Sequence, residues 1–177
     1  GNYSDGVYTP GLNYHGVENF TYRAFDGELS DTASVSITIL PVNDFPVLSD
    51  IDDQIISEDS VAVVLIDAFD VDGDGLDYII DIATPDFVDF ELDSIILILT
   101  PIANFYGEIG VTVTVDDGEY IDSDEFLLIV TPVNDVPTVE VLYVETGEDF
   151  PVEINFIGFD IDGDPLTFEI VSSPSNG

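Results

Sequence analysis

The chain repeats itself at a fixed distance. Asn13, Phe20, Tyr22, Asp26, Gly27, Asn43, Asp44 and Pro46 return as Asn104, Val111, Val113, Asp117, Gly118, Asn134, Asp135 and Pro137, each 91 positions later. Glu58-Asp59 and the run Asp70-Val71-Asp72-Gly73-Asp74 return as Glu148-Asp149 and Asp160-Ile161-Asp162-Gly163-Asp164, 90 positions later. A period of this length describes an array of similar units in place of one large globule. What it keeps is largely a set of carboxylates. A catalytic acid pair has no need to recur in every unit, so the pattern points to modules and away from an enzyme.

Charge narrows the partners. Against 38 acids stand one arginine, Arg23, and no lysine, for a formal charge of −37 over 177 residues. Nucleic acid and anionic membrane surfaces would be repelled by such a field. The 45% of hydrophobic residues supplies the core material that a disordered acidic tail lacks. The acids then have two uses, as ligands for divalent cations and as a surface suited to salt, where screening suppresses self-repulsion. Without cysteine there is no disulfide and no thiol chemistry, and without lysine there is no Schiff base. No stretch reaches the roughly 18 apolar residues of a membrane span.

The hydrophobic pattern has period two. Phe20 to Ala24, Ser34 to Ile39 and Val111 to Val115 alternate large and polar residues, as half-buried strands do. Val61 to Ile66, Ile95 to Leu99 and Phe126 to Val130 are short runs rich in Val, Ile and Leu, bounded by Asp, Gly or Pro. They also read as strands, and no long window has helical spacing. Many short strands divided by turn signals predict an all-β fold of antiparallel Greek-key β-sandwich domains in tandem.

The units divide at Pro-Val-Asn-Asp-x-Pro, residues 41–46 and 132–137. Its two prolines favour an extended, stiff connector. Residues 45–135 are expected to form one complete repeat, 1–44 the second half of another, and 136–177 the first half of a third. A half-sandwich exposes its inner face and unpaired edges. Each terminal half is therefore expected to be completed by further chain or by a neighbouring copy, which would make a self-assembling filament subunit an alternative to a plain array.

The ordered set Glu-Asp, Asp-x-Asp-Gly-Asp, Val-Asp-Asp-Gly and Pro-Val-Asn-Asp-x-Pro resembles the cadherin-like repeats of bacterial surface proteins, with an Ig-like or cadherin-like sandwich. The resemblance implies that Ca2+ wraps each linker. Asn43 and Asp44 would be linker ligands between the first and second units, joined by Asp70, Asp72 and Asp117. At the next junction Glu58 or Asp59 would join Asn134 and Asp135, with Asp160 and Asp162 completing the shell. Asp26, the counterpart of Asp117, would face a preceding junction. Calcium takes about 6–8 oxygen ligands, and an oxygen-rich set with one histidine and no cysteine disfavours zinc and copper. Animal cadherins carry a Leu-Asp-Arg-Glu motif where Thr100-Pro101-Ile102-Ala103-Asn104 stands here, so fewer ions per junction are expected.

Other readings compete. Asp70 to Asp81 places acids at positions one, three, five and twelve of an EF-hand loop, with Gly75 at six, but the second copy has Pro165 and Val171 at positions six and twelve, and the flanks read as strands. Asp86, Asp89, Asp122, Asp124 and Glu125 are expected on a solvated surface, and Asp74 and Asp164 fit either role. His15 reads as a loop residue, and Phe20, Tyr22, Phe105 and Tyr106 as core. The functional expectation is a calcium-binding structural or adhesion repeat of an extracellular surface protein or fibre. Its partners would be adjacent repeats or neighbouring copies, with surface glycans or proteins. A carbohydrate-binding accessory module of a secreted polysaccharide-degrading enzyme is the remaining alternative.

Overall fold

The computed structural model describes residues 1–174. Its strands are β1 (Asn2–Ser4), β2 (Val7–Thr9), β3 (Gly16–Phe25), β4 (Ser30–Ile39), β5 (Val47–Leu48), β6 (Gln54–Ser57), β7 (Ala62–Leu65), β8 (Ala68–Phe69), β9 (Asp77–Ile82), β10 (Val88–Asp93), β11 (Ile96–Pro101), β12 (Gly107–Asp116), β13 (Ile121–Thr131), β14 (Thr138–Val139) and β15 (Gly158–Phe159). The one helical element among the described residues is a single 3-10 turn, Pro85–Phe87. The protein is all-β.

Residues 47–131 fold into a two-sheet sandwich. One sheet has the order β10-β11-β7, and the other β6-β13-β12-β9. Within the second sheet, β6 runs parallel to β13 while the other pairings are antiparallel. The short pair β5-β8 extends the chain path of the first sheet. Alternation explains the packing. On β12, Ile109, Val111, Val113 and Val115 are fully buried, and the residues between them are only partly covered. Phe126 and Leu128 of the neighbouring strand β13 stand beside them, and Leu97 and Leu99 of β11, in the other sheet, share the same core. At roughly 1.5–3 kcal/mol for each large apolar side chain buried, this interior stabilises the central unit.

Among the described residues, every buried apolar side chain lies between Pro46 and Val130. The flanking segments are hairpins and short pairs. β3 and β4 form a long antiparallel hairpin from Gly16↔Ile39 to Phe25↔Ser30, and Tyr22 and Phe25 on it are exposed. β14 and β15 pair as Thr138↔Phe159 and Val139↔Gly158, the same two-rung register that β5 and β8 make as Val47↔Phe69 and Leu48↔Ala68.

The period is thus visible in space. β3 shifted by 91 positions has the bounds of β12, and β4 shifted likewise begins where β13 begins. The loop between β8 and β9 recurs after β15, with Gly73 N–H donating to Asp70 O and Gly163 N–H to Asp160 O, both at 3.3 Å. Phe105 packs against the interior while Tyr106 is exposed, so the expected pair of core aromatics is split. Tyr106 lies one residue before Gly107, whose positive φ of 145° re-aims the chain into β12.

Candidate metal centre at the unit junctions

Each linker aspartate is seized by the loop that follows β8 or β15. Asp44 N–H donates to Asp72 Oδ2 at 2.8 Å. One period later, Asp135 N–H donates to Asp162 Oδ2, also at 2.8 Å. Those loops are shaped by their own first acid. Asp70 Oδ1 accepts N–H bonds from Asp72 at 2.8 Å, Gly73 at 3.1 Å and Asp74 at 3.4 Å. Asp160 Oδ1 accepts from Asp162 at 3.1 Å and Asp164 at 3.2 Å. A carboxylate holding several N–H groups of its own loop is a local turn device. It leaves the second oxygen of Asp70 without a donor.

At the first junction, Asp70, Asp72 and Asp74 bring carboxylate oxygens within 4.8 Å of one another. Asp70 Oδ2 is buried and meets no donor. Asn43 Nδ2 donates to Asp117 Oδ2 at 3.0 Å, which ties the linker to the turn between β12 and β13. Asp117 Oδ1 accepts from Glu119 and Tyr120, each at 2.7 Å. The N–H of Tyr120, followed by that of Glu119 and the Asn43 amide, holds its carboxyl below the usual aspartate value. The linker is thus tied at two successive residues, Asn43 to Asp117 and Asp44 to the Asp70–Asp72 loop.

The second junction is harsher. Glu58, Asp135 and Asp162 place oxygens within 4.8 Å of one another. Glu58 is only 4% exposed; its Oε1 accepts the Val133 N–H, and its Oε2 has no donor. Asp135 Oδ2 is also buried without one. Burial raises the Asp135 carboxyl above its ordinary value, and Asp162, Asp59, Glu58 and Asp160 add to the rise. Asp160 is buried as well. Charge in such surroundings is disfavoured, and a proton or a cation relieves it. Asp59 is exposed and in the left-handed region, with φ of 59°, as is its counterpart Asp149 at 66°. Asn134 is exposed, and its Nδ2 donates to the Asp135 carbonyl at 3.1 Å. Asp26 stands apart, accepting from Glu28 at 2.9 Å and Leu29 at 2.8 Å.

Asp74 was readable either way from the sequence, and the structure sets it in the first cluster. Two further residues are new. A cleft of about 230 Å³ places Asn13, Tyr14 and His15 beside Asp44 and Asp72. A second places Asn104 beside Asp135 and Ile161. Asn13 and Asn104 are equivalent by the period, and both have positive φ, 54° and 56°. Their recurrence was the available signal. His15 lies on the loop before β3, as expected, and that loop lines the junction cleft.

Two acids expected on a solvated surface have structural work. Asp122 Oδ2 accepts the Leu48 N–H at 2.9 Å, and Asp124 Oδ2 the Ile51 N–H at 2.6 Å. Both lie on β13 and pin the chain from the end of β5 into the segment before β6.

Residues 43–126 match the family described as Bacterial Ig domain. The Ig-like match covers the first linker and most of the central sandwich. In solved structures, the chain is similar to protocadherin Gamma B2 extracellular cadherin domains 1–5, at 20% identity and a TM-score of 0.50, over 77% of this chain and 30% of that one. Lower-scoring likenesses include an endo-fucoidan hydrolase, MfFcnA4 of glycoside hydrolase family 107 (23% identity, TM-score 0.39, 70% of this chain and 20% of that), and surface layer protein SbsC, domains 4–9 (12%, 0.40, 71% and 20%). The chain spans at most 30% of the length of these three structures. No curated protein sequence matches it significantly.

Proposed function

We propose that this chain is a non-catalytic stretch of tandem Ig-like, cadherin-like units whose junctions are stiffened by calcium, within an extracellular surface or adhesion protein. The observation that carries the reading is the pair of buried oxygens without donors, Glu58 Oε2 and Asp135 Oδ2, in an all-carboxylate cluster at a junction. Such a cluster is unfavourable by itself, and a divalent cation is the partner that removes the penalty. The donors fit a hard ion, being carboxylates and Asn side chains with no thiol. Glu58, Asp59, Asp135, Asp160 and Asp162 would hold an ion at the second junction. Asn43, Asp44, Asp70, Asp72, Asp74 and Asp117 would do so at the first.

The mechanical consequence follows from where those residues sit. Glu58 belongs to the central unit, Asp135 to the linker, and Asp162 to the next unit. A shared cation cross-links three segments that are otherwise joined by one strand of backbone. The angle between units is then fixed by ligation, in addition to the stiffness of the prolines. The extracellular placement rests on the surface proteins that typically carry bacterial Ig domains; no helix among the described residues is long and apolar enough to cross a membrane.

Titration calorimetry with calcium, in parallel with small-angle scattering, tests the reading. Saturable binding is expected, with a narrower distribution of particle dimensions when calcium is present and a broader one in chelator. Absence of binding, or scattering profiles that a chelator leaves unchanged, would overturn it.

A further inference from the structure

The outer face of the β10-β11-β7 sheet departs from what alternation requires. Leu97 and Leu99 of β11 point inward and are fully buried, so Ile96 and Ile98 point out. On β7, Ala62 and Val64 are buried, which turns Val63 and Leu65 outward at 63% and 65% exposure. The register aligns these outward residues in rows: Glu91–Ile98–Val63, then Asp93–Ile96–Leu65. Two neighbouring strands thus show an aliphatic surface, and the free edge strand β10 borders it with acids, Asp89 included.

Strand propensity alone does not account for the aliphatic columns. The 90-residue period sets Glu153 and Asn155 at the positions of Val63 and Leu65, while Val152, Ile154 and Phe156 keep the inward positions of Ala62, Val64 and Ile66 apolar. The counterpart of β7 in the next repeat therefore carries polar residues at its outward positions, and β7 does not. Acids on an edge strand guard against unwanted pairing, which explains β10 but not the four aliphatic residues beside it. Contiguous exposed apolar surface with a polar rim marks an interaction site.

Symmetry and charge select the occupant. A second copy is disfavoured by charge: in a face-to-face two-fold dimer the acid column either overlaps the facing copy or is left along the rim, and each arrangement brings together two chains of formal charge −37. The chain holds one arginine and no lysine, so it cannot supply compensating cations. We propose that this face docks a segment of a different protein in which an apolar strip is flanked along one side by Lys or Arg. The apolar strip covers Val63, Leu65, Ile96 and Ile98, and the basic side meets Glu91 and Asp93.

Two short peptides of equal charge serve as probes, one alternating Leu and Lys and one alternating Ser and Lys, with binding read by fluorescence anisotropy at physiological ionic strength. The Leu–Lys peptide is expected to bind about tenfold more tightly than the Ser–Lys peptide. The double variant V63E/L65N, which installs the next repeat's residues, should abolish that preference with an unchanged melting temperature. E91Q/D93N should weaken both peptides and flatten their salt dependence. Ile79→Glu, on the outer face of the other sheet, should change nothing. Equal affinity for the two peptides, or a preference that survives V63E/L65N, would overturn the proposal. So would a concentration-dependent dimer that V63E/L65N dissolves, because the face would then be a self-interface.

Discussion

The two junctions share a frame and differ in what closes it. In both, a linker aspartate N–H bonds the third position of the Asp-x-Asp loop at 2.8 Å. The first junction then adds the neutral Asn43 amide on Asp117 and a ring stack of Phe45 on Tyr120, with centroids 4.1 Å apart. The second adds only acids, Glu58 foremost, and the counterpart of Phe45 is Val136, which is 86% exposed. The two views complement each other, since the first displays the following unit's turn and the second displays the preceding unit's base. The contrast teaches that the linker is held by two kinds of lock. One is a direct protein contact that works without ions and is seen at the first junction; the other is a set of buried oxygens without donors, one on Asp70 at the first junction and two, on Glu58 and Asp135, at the second.

Removing the acid that distinguishes the second junction is the most forceful way to break this comparison. With calcium at one hundred times its dissociation constant, linked stabilisation amounts to about 2.7 kcal/mol per site. Glu58→Gln is expected to remove most of that at the second junction and to leave calcium binding at the first intact. Calorimetry at fixed calcium checks this. Equal loss at both junctions would show that they act as one coupled site.

A cost of about 1–3 kcal/mol is expected for Asp124→Ala, because the Ile51 N–H loses its acceptor in a half-buried place. Denaturant midpoints should fall by the same amount with and without calcium. That separates an acid that stitches backbone from one that waits for an ion. Unchanged midpoints would return Asp124 to the solvated surface.

The aromatic lock is smaller. Phe45→Ala should lose about 1 kcal/mol, the usual worth of a ring pair beyond its burial, and the loss should be largest in chelator, when the first junction depends on direct contacts. Val136→Ala, at the equivalent linker position, should stay within about 0.5 kcal/mol. Parallel melts of the two variants test the difference; equal shifts would mean that the stack does not fasten the linker.

Much of this was legible in the sequence, for a physical reason. Period-two alternation and a constant offset are properties of a repeated sheet, so the strands at Phe20, Ser34, Val111 and Phe126 and the spacing of the units could be read directly. The linker and loop acids were legible because each recurs. Asp122 and Asp124 were not, since a carboxylate that accepts a distant N–H has the same local sequence as one in water. Asn13 and Asn104 recurred in plain view, but only the clefts they line show that they lie beside the linker acids. The stack of Phe45 on Tyr120 joins residues far apart in sequence, and no local pattern announces it.

The smallest effect is also the most direct probe of the two locks, the titration of single carboxyls in chelator. Asp117 is held below its ordinary value by the N–H of Tyr120 and its other donors. It favours the folded state above its unfolded pKa, and that contribution disappears as pH falls through the lower folded value. Asp135 is raised by burial and by Asp162, Asp59, Glu58 and Asp160. Its folded form binds protons more tightly than the unfolded chain, so the sign reverses: stability at that junction declines as pH rises from the ordinary aspartate range through the raised value. Carboxyl carbon shifts followed by NMR should therefore place Asp117 below and Asp135 above the unperturbed value. Adding calcium should cancel the Asp135 displacement, since a bound cation favours the charged form. If Asp135 titrated at or below the ordinary value in chelator, its second oxygen would already have a donor. The second junction would then be locked by protein contacts as the first is.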